Sequence, residues 1–560
     1  MIIQSLTAQL QRYLRFLTVA GFVLLSAAVF LSSCGKTAPG TKLVVFVVIE
    51  QMRADHLTRF RDIYTGGIRY MLDNGAVFAD AHHEHAVTET APGLASIITG
   101  LHPNRTGIVS DLWFDRETSQ IVDAVSDQTA LVIELRRPGF SFAKVSGAAL
   151  GDYLKDFFSD SKVYSVGGSA LSAALLGGRN PDGVFWYNAV NGTYISSSNY
   201  VQSYPLWLVT LNARRFPDRY IGTQWDRLLA DERLYESRSR ADLFPGETGG
   251  EAARFPYSIS GISNEQDYYQ RFRLTHGMDE YLTEIAAAVV KEQGLGTDDN
   301  PDLLLLSYLG PDYIGNNFGP FSQEAMDAYL RIDVLLGKFM NTLDREIGLE
   351  DIVFVLTAGH GAAALPEYLN ARNIDAERVF PHYSEQWDRI NNALSEQYGE
   401  GKWVQWVNGL QAYLDRTLIE QRGLDYEHIE SYVADQWRSS QVAEAVYTWS
   451  QLSNDEVLDD EYSALYANNF YADRSPDIII RLKEHDLVSP RRTGTMSGSP
   501  YSYDTRVPLI FQGKLFMPGI FSGRVSTTGI LPTLADLLGI PVPDDLDGQM
   551  LQAVFGADHE

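Results

Sequence analysis

The sequence TETAPGLASIITGLHPNRTGIVSDLW, from Thr88 to Trp113, decides the fold and the candidate site of this chain. Thr90 stands two residues before Pro92, and proline favours the first turn of a helix because its missing N–H would be unpaired there anyway. Apolar residues then recur at helical spacing: Leu94, Ile97, Ile98 and Leu101. A hydroxyl at a helix N-terminus faces unpaired backbone N–H groups and the positive end of the helix dipole, which favours an anion.

Just upstream, the segment KLVVFVVIE (Lys42–Glu50) is a continuous apolar run that ends in a carboxylate. Such a run predicts a buried parallel strand with the acid at its carboxyl end. Asp302–Tyr308 and Ile352–Thr357 are runs of the same kind, and an amphipathic helix with Ser322 as its N-cap and Gly348 as its stop lies between them. Strands that alternate with helices predict an α/β fold on a mostly parallel sheet, with its site at the carboxyl ends of the strands.

These features resemble the alkaline phosphatase superfamily, in its threonine-nucleophile branch (type I phosphodiesterase / nucleotide pyrophosphatase-like). The family pattern T-A-x-G-H-x-S-I-x-T-G-x-x-P-x-x-H-G-I is met by Thr90, Ala91, Gly93, Ser96, Ile97, Thr99, Gly100, Pro103, Gly107 and Ile108. Its two histidines are replaced by Leu94 and Thr106. The resemblance implies an alkaline-phosphatase-like sandwich with inserted cap segments, Thr90 as the catalytic nucleophile, and two zinc ions that hold the phosphoryl group between them.

For the first zinc ion, the resemblance implies one carboxylate and two histidines as ligands. Asp312 keeps the carboxylate, but Asn316 and Ser497 stand at the two histidine positions. A neutral amide and a hydroxyl are poor substitutes for imidazoles on zinc. One good ligand of this ion therefore remains.

For the second zinc ion, the resemblance implies the strand-tip aspartate, the nucleophile and an Asp-His pair. Here the strand tip is Glu50, and the pair is Gly359-His360, so one carboxylate is lost. The extra methylene of glutamate moves its carboxylate by about 1.5 Å, more than the roughly 0.2 Å tolerance on metal–ligand distances. Glu50, Thr90 and His360 remain as residual ligands.

The positions that handle substrate in the family are altered too. The asparagine that contacts the phosphoryl group aligns with Asp111, whose charge would repel a phosphate dianion. The Lys-x-Arg pair of the family aligns with Ser169 and Leu171, so both positive charges are absent. Asp111, Asn316, Gly359 and Ser497 are thus predicted to line a changed substrate pocket.

Two functions remain open on these residues. In the preferred interpretation, the chain is a catalytically impaired family member, a pseudoenzyme, whose pocket binds a phosphoester or another small molecule or whose surface binds a partner. In the alternative, it is an active metal-dependent phosphomonoesterase or phosphodiesterase that uses Thr90 and an altered metal site, with His85 or His102 recruited as a ligand. Zinc is accordingly expected from the resemblance, but bound weakly or absent.

The N-terminus predicts a lipoprotein. Arg12 and Arg15 precede an uncharged apolar run, Phe16–Leu31, which is short for a membrane span and typical of a signal peptide. Leu-Ser-Ser-Cys then resembles a bacterial lipobox, which implies cleavage before Cys34 and lipidation of its sulfur. An uncleaved anchor helix is the alternative. We expect a protein of the bacterial cell envelope, held at the outer membrane and facing the periplasm.

The composition limits the partners and the chemistry. A formal net charge of −27 argues against nucleic acid as a partner. Cys34 is the only cysteine, so no intramolecular disulfide can form. Three histidines, at positions 82, 83 and 85, invite a metal interpretation, but we favour a structural role for them.

The predicted domain order is a signal peptide (1–33), a tether (34–41), a core (42–361 with 484–551) and a helical cap (362–483). Within the core, an aromatic hairpin insertion is expected over about 163–260, with its turn at Asn191-Gly192. A single helix is expected from about Arg53 to Asn74.

Overall fold

The computed structural model describes residues 40–259, 264–454, 460–489, 491–552 and 555. The predicted signal peptide, Cys34 and the tether up to residue 39 lie outside the described residues. In the part that is described, no helix combines the length and the apolar character needed to cross a membrane.

A nine-stranded sheet forms the centre of the described chain. In spatial order its strands are Gly519–Ser526, Ala76–His82, Arg506–Gln512, Ile352–Thr357, Leu43–Ile49, Asp302–Tyr308, Val163–Gly167, Gly183–Asn188 and Thr193–Ile195. Only Arg506–Gln512 and the edge strand Thr193–Ile195 run against the others. The predicted α/β fold on a mostly parallel sheet is confirmed.

Helices cover both faces of this sheet, because successive side chains of each buried strand point to opposite sides. The α-helices outside 362–483 are Asp55–Arg59, Gly67–Asn74, Thr90–Thr99, Pro103–Thr106, Leu150–Phe157, Ala170–Gly177, Leu206–Ala213, Glu232–Glu236, Glu265–Phe272, Gly277–Gln293, Gly310–Phe318, Gln323–Glu346, Ser502–Thr505 and Ile530–Leu538. Val45 and Val47 pack in one apolar core with the helix Gln323–Glu346. Val44 and Phe46 pack in the other core with the helix Thr90–Thr99.

The aromatic hairpin has its predicted turn, since Asn188 pairs with Thr193 across Asn191-Gly192. Its place in the fold differs from the prediction. The strands Val163–Gly167 and Gly183–Asn188 extend the central sheet in parallel register, so the segment up to 195 is part of the core rather than an insertion. The alternation of apolar and polar residues along these strands predicts the hairpin, but it does not predict which sheet the hairpin joins.

The cap is a mixed α/β layer, which corrects the helical prediction for 362–483. Its helices are Pro366–Asn370, Phe380–Tyr398, Arg416–Gln421, Tyr426–Arg438, Trp449–Ser453 and Ser463–Asn469. Its four-stranded antiparallel sheet has the order Val404–Asn408, Gln411–Leu414, Ile478–Leu482 and Ala443–Thr448. These strands were missed because they are short and interleaved with helices. The cap and the core together belong to one compact unit, Thr41–Glu560.

The single helix expected over Arg53–Asn74 is wrong, because the structure has two helices, Asp55–Arg59 and Gly67–Asn74. The break is set by a distant residue. The Asp333 carboxylate accepts hydrogen bonds from the backbone N–H groups of Thr65 and Gly66, both at 2.7 Å. A Cβ on Gly66 would lie 2.0 Å from the Asp333 carbonyl oxygen, so glycine is required by this close approach.

Candidate functional site

The candidate site lies at the carboxyl ends of the parallel strands, where an open α/β sheet leaves room for one. Glu50 follows the strand Leu43–Ile49 directly, and Asp312 lies in the helix that follows Asp302–Tyr308. His360 comes three residues after Ile352–Thr357, and Thr90 begins its own helix. Four residues that are distant in sequence are thereby brought to one edge of the sheet.

Thr90 and His360 are in contact, with 3.3 Å between the Thr90 Oγ1 and the His360 Nε2. The His360 Nδ1 lies 2.8 Å from the carbonyl oxygen of Gly361, so Nδ1 carries a proton. In the neutral ring Nε2 is then the acceptor, and the Thr90 hydroxyl donates to it. The hydroxyl is thus held at the helix start by a buried imidazole.

Asp312 is surrounded by side-chain amides. Its Oδ1 accepts hydrogen bonds from the Asn316 Nδ2 at 3.0 Å and from the Gln51 Nε2 at 3.2 Å. The same Gln51 nitrogen donates to the Asn316 Oδ1 at 2.8 Å. His360 Nε2 is 4.0 Å from the Asp312 Oδ1. Neutral donors therefore satisfy this carboxylate on the side where the family resemblance implies a zinc ion.

Glu50 fills the space that the absent side chain of residue 359 would take. A Cβ built on Gly359 would lie 2.5 Å from the Glu50 Oε2, closer than real Cβ contacts. The Glu50 side chain is fully buried, and its Oε1 accepts a hydrogen bond from the Ser307 hydroxyl at 3.3 Å. Its Oε2 has no hydrogen-bond partner among the described residues. The longer acid and the glycine are therefore sterically matched.

Asp111 is bonded to the N-terminus of the Thr90 helix. Its Oδ1 accepts a hydrogen bond from the Ala91 N–H at 2.7 Å. Glu89 accepts from the Asp111 N–H at 2.7 Å and from the Ser110 hydroxyl at 2.6 Å. A free helix N-terminus attracts an external anion, but here the Asp111 carboxyl group already accepts from the Ala91 amide of this helix.

Ser497 lies in a segment, residues 495–499, that is hydrogen-bonded both near Asp312 and near Thr90. The Thr495 N–H donates to the Asn316 carbonyl oxygen at 2.9 Å, and the Thr88 hydroxyl donates to the Ser499 carbonyl oxygen at 2.8 Å. Ser497 lines a small cavity together with Glu89 and Asp504. Ser497 is thus near the start of the Thr90 helix, and its place as a pocket residue stays a prediction.

The site is strongly acidic, and burial raises the pKa of each of its carboxyl groups. These groups are Glu50, Glu89, Asp111, Asp312 and Asp504. The carboxylates of Asp312 and Asp111 raise the pKa of Glu50 further. The carboxylate of Glu89 likewise raises the pKa of Asp111. For Asp504, burial raises the pKa to about 7 despite hydrogen bonds from Ser499. Like charges in a low-dielectric site disfavour the ionised forms.

Two zinc ions do not fit the residues present. Throughout the described residues, no group of three or more His, Cys, Asp or Glu side chains is placed to hold a metal ion. The amides of Gln51 and Asn316 present N–H groups to Asp312, and donors of this kind repel a cation. At residue 359 a Cβ would already lie 2.5 Å from the Glu50 Oε2, so a carboxylate there requires the Glu50 side chain to move.

The histidines at positions 82, 83 and 85 pack beside this arrangement, and His83 contacts the residue that precedes Gly359. His83 contacts the Ala358 carbonyl oxygen and the Thr527 hydroxyl, both at 3.0 Å, and His82 contacts Thr505 and Asp80. Neither ring nitrogen of the buried His85 has a hydrogen-bond partner in the described chain. These contacts agree with the structural role that we favoured for positions 82 and 83.

Sequence reasoning missed three residues of the site, namely Gln51, Glu89 and Asp504. Gln51 has a left-handed backbone (φ 64°), which is uncommon for a non-glycine residue and is often found at functional sites. No sequence signal marks that conformation. Glu89 adjoins Thr90 directly, and Asp504 follows Ser497 in the same motif, so proximity along the chain could have identified both.

Ser169, at the first position of the lost Lys-x-Arg pair, caps the helix Ala170–Gly177 by accepting from the Ser172 N–H. It also lines a separate cavity with Arg273 and Tyr313, the neighbour of Asp312. Arg273 donates to the Tyr313 hydroxyl at 3.1 Å. A cation therefore lies near this position, although it comes from another part of the chain.

Comparison with known proteins agrees with the fold. Residues 44–500 match the family described as type I phosphodiesterase / nucleotide pyrophosphatase. The chain is 29% identical to alkaline phosphatase PafA of Elizabethkingia meningoseptica (92% of this chain, 95% of the relative) and 30% identical to alkaline phosphatase PhoV of Synechococcus elongatus (92% and 93%). The crystal structure of wild-type PafA superposes with a TM-score of 0.86 at 28% identity, over 92% of this chain and 99% of the other.

Proposed function

This chain belongs to the type I phosphodiesterase / nucleotide pyrophosphatase family, within the alkaline phosphatase superfamily, and from that premise we propose that it is a catalytically impaired member that acts by binding. Its relatives are named alkaline phosphatases. In this chain the same framework carries a site in which three of the seven ligands implied by the family are replaced, by Asn316, Gly359 and Ser497. The protein would bind a small molecule in the pocket or a protein partner on its surface without converting either to a product.

The observation that carries this proposal is the hydrogen bonding of Asp312. Two amides donate to one of its oxygens, and both amides belong to residues of the site, Gln51 and Asn316. A carboxylate paired with neutral donors is stable without a metal ion, whereas an unpaired buried carboxylate is costly. The steric match of Glu50 with Gly359 supports the same conclusion. The longer side chain of Glu50 occupies space in the site, and the glycine at residue 359 leaves that space open.

The bonding of Asp111 to the Ala91 N–H supports the loss of phosphoryl binding. The Ala91 N–H of the Thr90 helix is occupied by the Asp111 carboxyl group and is not free for a phosphoryl oxygen. Replacing a neutral side chain by a carboxylate at such a position costs phosphate affinity through repulsion.

Metal content is the direct test. The protein is purified after growth and dialysis with added zinc, and its metal is measured by inorganic mass spectrometry. We expect much less than one zinc ion per chain, and phosphomonoesterase and phosphodiesterase rates that are equal in the wild type and in Thr90→Ala. One or two tightly held ions per chain, with hydrolysis that Thr90→Ala abolishes, would overturn the proposal.

A second candidate function is that of an active hydrolase with an altered metal site, and two observations favour it. Thr90 keeps its hydrogen bond to His360, and Arg273 supplies a positive charge in the cavity of Ser169. In that case Thr90 is the nucleophile, and Glu50, Asp312 and His360 hold a single metal ion. The same assay separates the two functions, because only the hydrolase shows Thr90-dependent turnover that added metal ions stimulate.

We also propose that the chain is a lipoprotein anchored through Cys34 at the outer membrane and facing the periplasm. The support is the Leu-Ser-Ser-Cys sequence after an apolar run and the single cysteine of the chain. Labelled palmitate should be incorporated by the wild type in a bacterial host and not by Cys34→Ala. Label in both, or in neither, would contradict the anchor.

A further inference from the structure

A second cavity lies beside the Thr90 site, at the carboxyl ends of the neighbouring parallel strands Val163–Gly167 and Gly183–Asn188. Its volume is about 270 Å³, close to the lower end of the range of roughly 300–1,000 Å³ that is usual for small-molecule sites. Tyr313, the residue after Asp312, forms part of its wall. The cavity is therefore large enough for a small organic molecule.

The charge of this cavity is opposite to that of the Thr90 site. Arg137 and Arg273 line it, and no aspartate or glutamate is among the described residues of its wall. Arg137 is exposed, and its side chain has no hydrogen bond or ion pair with any described residue. In a chain with a net charge of −27, two arginines that share a cavity without acidic residues favour the binding of an anion.

The guanidinium group of Arg273 is held in place but is not neutralised. Its Nε donates to the Gln270 carbonyl oxygen at 3.3 Å, its Nη2 to the Gln270 side chain and its Nη1 to the Tyr313 hydroxyl at 3.1 Å. The group lies over the Tyr313 ring, 4.7 Å from the ring centroid. All three acceptors are neutral, and they use three of the five N–H groups of a guanidinium, so one N–H remains on each terminal nitrogen. Two such N–H groups match the two oxygens of a carboxylate.

Two further donors of the wall lack an acceptor. The Tyr313 hydroxyl accepts from Arg273, and its own proton goes to no acceptor among the described residues. Trp186 is 3% exposed, and its indole N–H likewise makes no hydrogen bond within the described chain. Donors inside a folded protein are normally paired, so this cavity has a surplus of donors. A ligand with acceptor oxygens would supply the missing partners.

The rest of the wall is apolar and aromatic. Phe140 meets the Trp186 ring edge to face, with 5.7 Å between the ring centroids. Val132, Leu135 and Ile195 line the same space. Apolar walls with a few placed polar groups favour a ligand that has an apolar body and one charged group. An aromatic body fits best here, because aromatic rings also attract one another through edge-to-face and offset contacts.

A single negative charge suits this cavity better than two. The Asp312 carboxyl group acts electrostatically on Tyr313 in the wall, and repulsion between like charges opposes a dianion more strongly than a monoanion. We propose that the cavity binds a small aromatic carboxylic acid, with its carboxylate on Arg273 and Arg137 and its ring against Trp186. This inference goes beyond the proposed function, because it concerns a second site and does not depend on the loss of zinc ligands.

The test uses 2-naphthoate as the probe, with 2-naphthamide as its neutral counterpart and 2-naphthylphosphonate as a dianion that cannot be hydrolysed. The full chain is titrated with each by calorimetry and by thermal melting, at a mildly alkaline pH that keeps the phosphonate doubly charged. We expect saturable binding of 2-naphthoate and a rise in Tm that grows with its concentration. The amide and the phosphonate should each bind about tenfold more weakly or worse, because the amide lacks the charge and the phosphonate meets added repulsion.

Arg273→Gln should lower the affinity for 2-naphthoate by about tenfold or more, since it removes the charge and the paired N–H groups. Arg137→Gln should weaken binding in the same direction, and it serves if the first variant does not fold, because Arg137 is exposed and unpaired in the described chain. The matched control is Arg136→Gln, an exposed arginine of the same loop that does not line the cavity. It makes the same change in net charge and should lower the affinity by less than about twofold, because salt screens distant exposed charges.

Three results would overturn the inference: no saturable binding of 2-naphthoate, equal binding of the amide, or an affinity that neither cavity variant lowers more than the control does. Tighter binding of the phosphonate than of 2-naphthoate would also overturn it. Zinc content and Thr90-dependent hydrolysis, measured in the same preparation, report separately on the proposed function. A preparation that holds zinc and hydrolyses phosphoesters but binds 2-naphthoate through Arg273 would overturn the proposed function and leave this site in place.

Discussion

The two halves of the candidate site have changed to different extents. On one side, Thr90 still contacts His360, and the helix that carries Thr90 keeps the family pattern. On the other side, Asp312 is bonded to the amides of Asn316 and Gln51. The position of the hydroxyl depends on a whole helix and its buried face, whereas metal binding depends on a few ligand atoms. On the proposed function, this family member keeps the framework around Thr90 and loses its metal chemistry.

The largest expected effect comes from restoring the ligands of the altered half. The quadruple variant Glu50→Asp, Gly359→Asp, Asn316→His and Ser497→His should raise zinc affinity by several orders of magnitude, because it restores the ligand types of a zinc site. Zinc affinity is measured by competition with a chelator. The control is Thr90→Ala in the quadruple background, which tests whether any activity gained depends on the nucleophile. A folded quadruple variant without zinc would show that these positions are not the ligands.

The match of Glu50 with Gly359 should appear as a strong coupling in stability. Gly359→Ala alone places a Cβ 2.5 Å from the Glu50 Oε2, and overpacking of this kind costs about 1–3 kcal/mol of unfolding free energy. Glu50→Asp should relieve most of that cost. Urea unfolding of both single variants and the double variant measures the coupling. Additive effects would mean that the two residues do not share this space.

Stability should fall as the pH rises, because the buried carboxyl groups of the site have raised pKa values in the folded chain. Between the ordinary pKa of an aspartate, 3.8, and the value of about 7 for Asp504, the folded state binds more protons than the unfolded state. The unfolding free energy contributed by Asp504 therefore decreases from about pH 4 to pH 7 and is constant above. Melting of the wild type and Asp504→Asn across this range is the measurement.

The variant should show a flatter profile, since it lacks the titrating group, and Asp435→Asn, on an exposed carboxylate of the cap helix Tyr426–Arg438, is the control. Identical slopes in the wild type and Asp504→Asn would show that Asp504 does not titrate in this range.

The smallest effect concerns the amides around Asp312. Asn316→Ala removes one of two donors to its Oδ1, which should cost about 1–3 kcal/mol of unfolding free energy because the carboxylate is largely buried. Asn317→Ala is the control on the same helix, since the Asn317 amide bonds only to the Tyr313 carbonyl oxygen. If the two variants lose equal stability at constant m-value, then the amide at residue 316 does not compensate for a missing metal ion.

Several features follow from the sequence alone. Continuous apolar runs such as Lys42–Glu50 predict buried parallel strands because both faces of such a strand must be covered. Ser322 caps its helix as predicted, by accepting from the Ala325 N–H. The pattern around Thr90 places the hydroxyl at a helix start, and the residue types at 316, 359 and 497 already indicate that zinc ligands are missing.

Other features were decided by tertiary contacts. The break at Gly66 depends on Asp333, which is more than 260 residues away in the chain. The cap sheet forms from strands that are too short to be recognised singly, since pairing with neighbours supplies their stability. The hydrogen bond from Gln51 to Asp312 and the space shared by Glu50 and Gly359 both arise where different loops meet. Local sequence sets helices, strands and chemical groups, but hydrogen-bond partners and free volume exist only once distant segments are packed together.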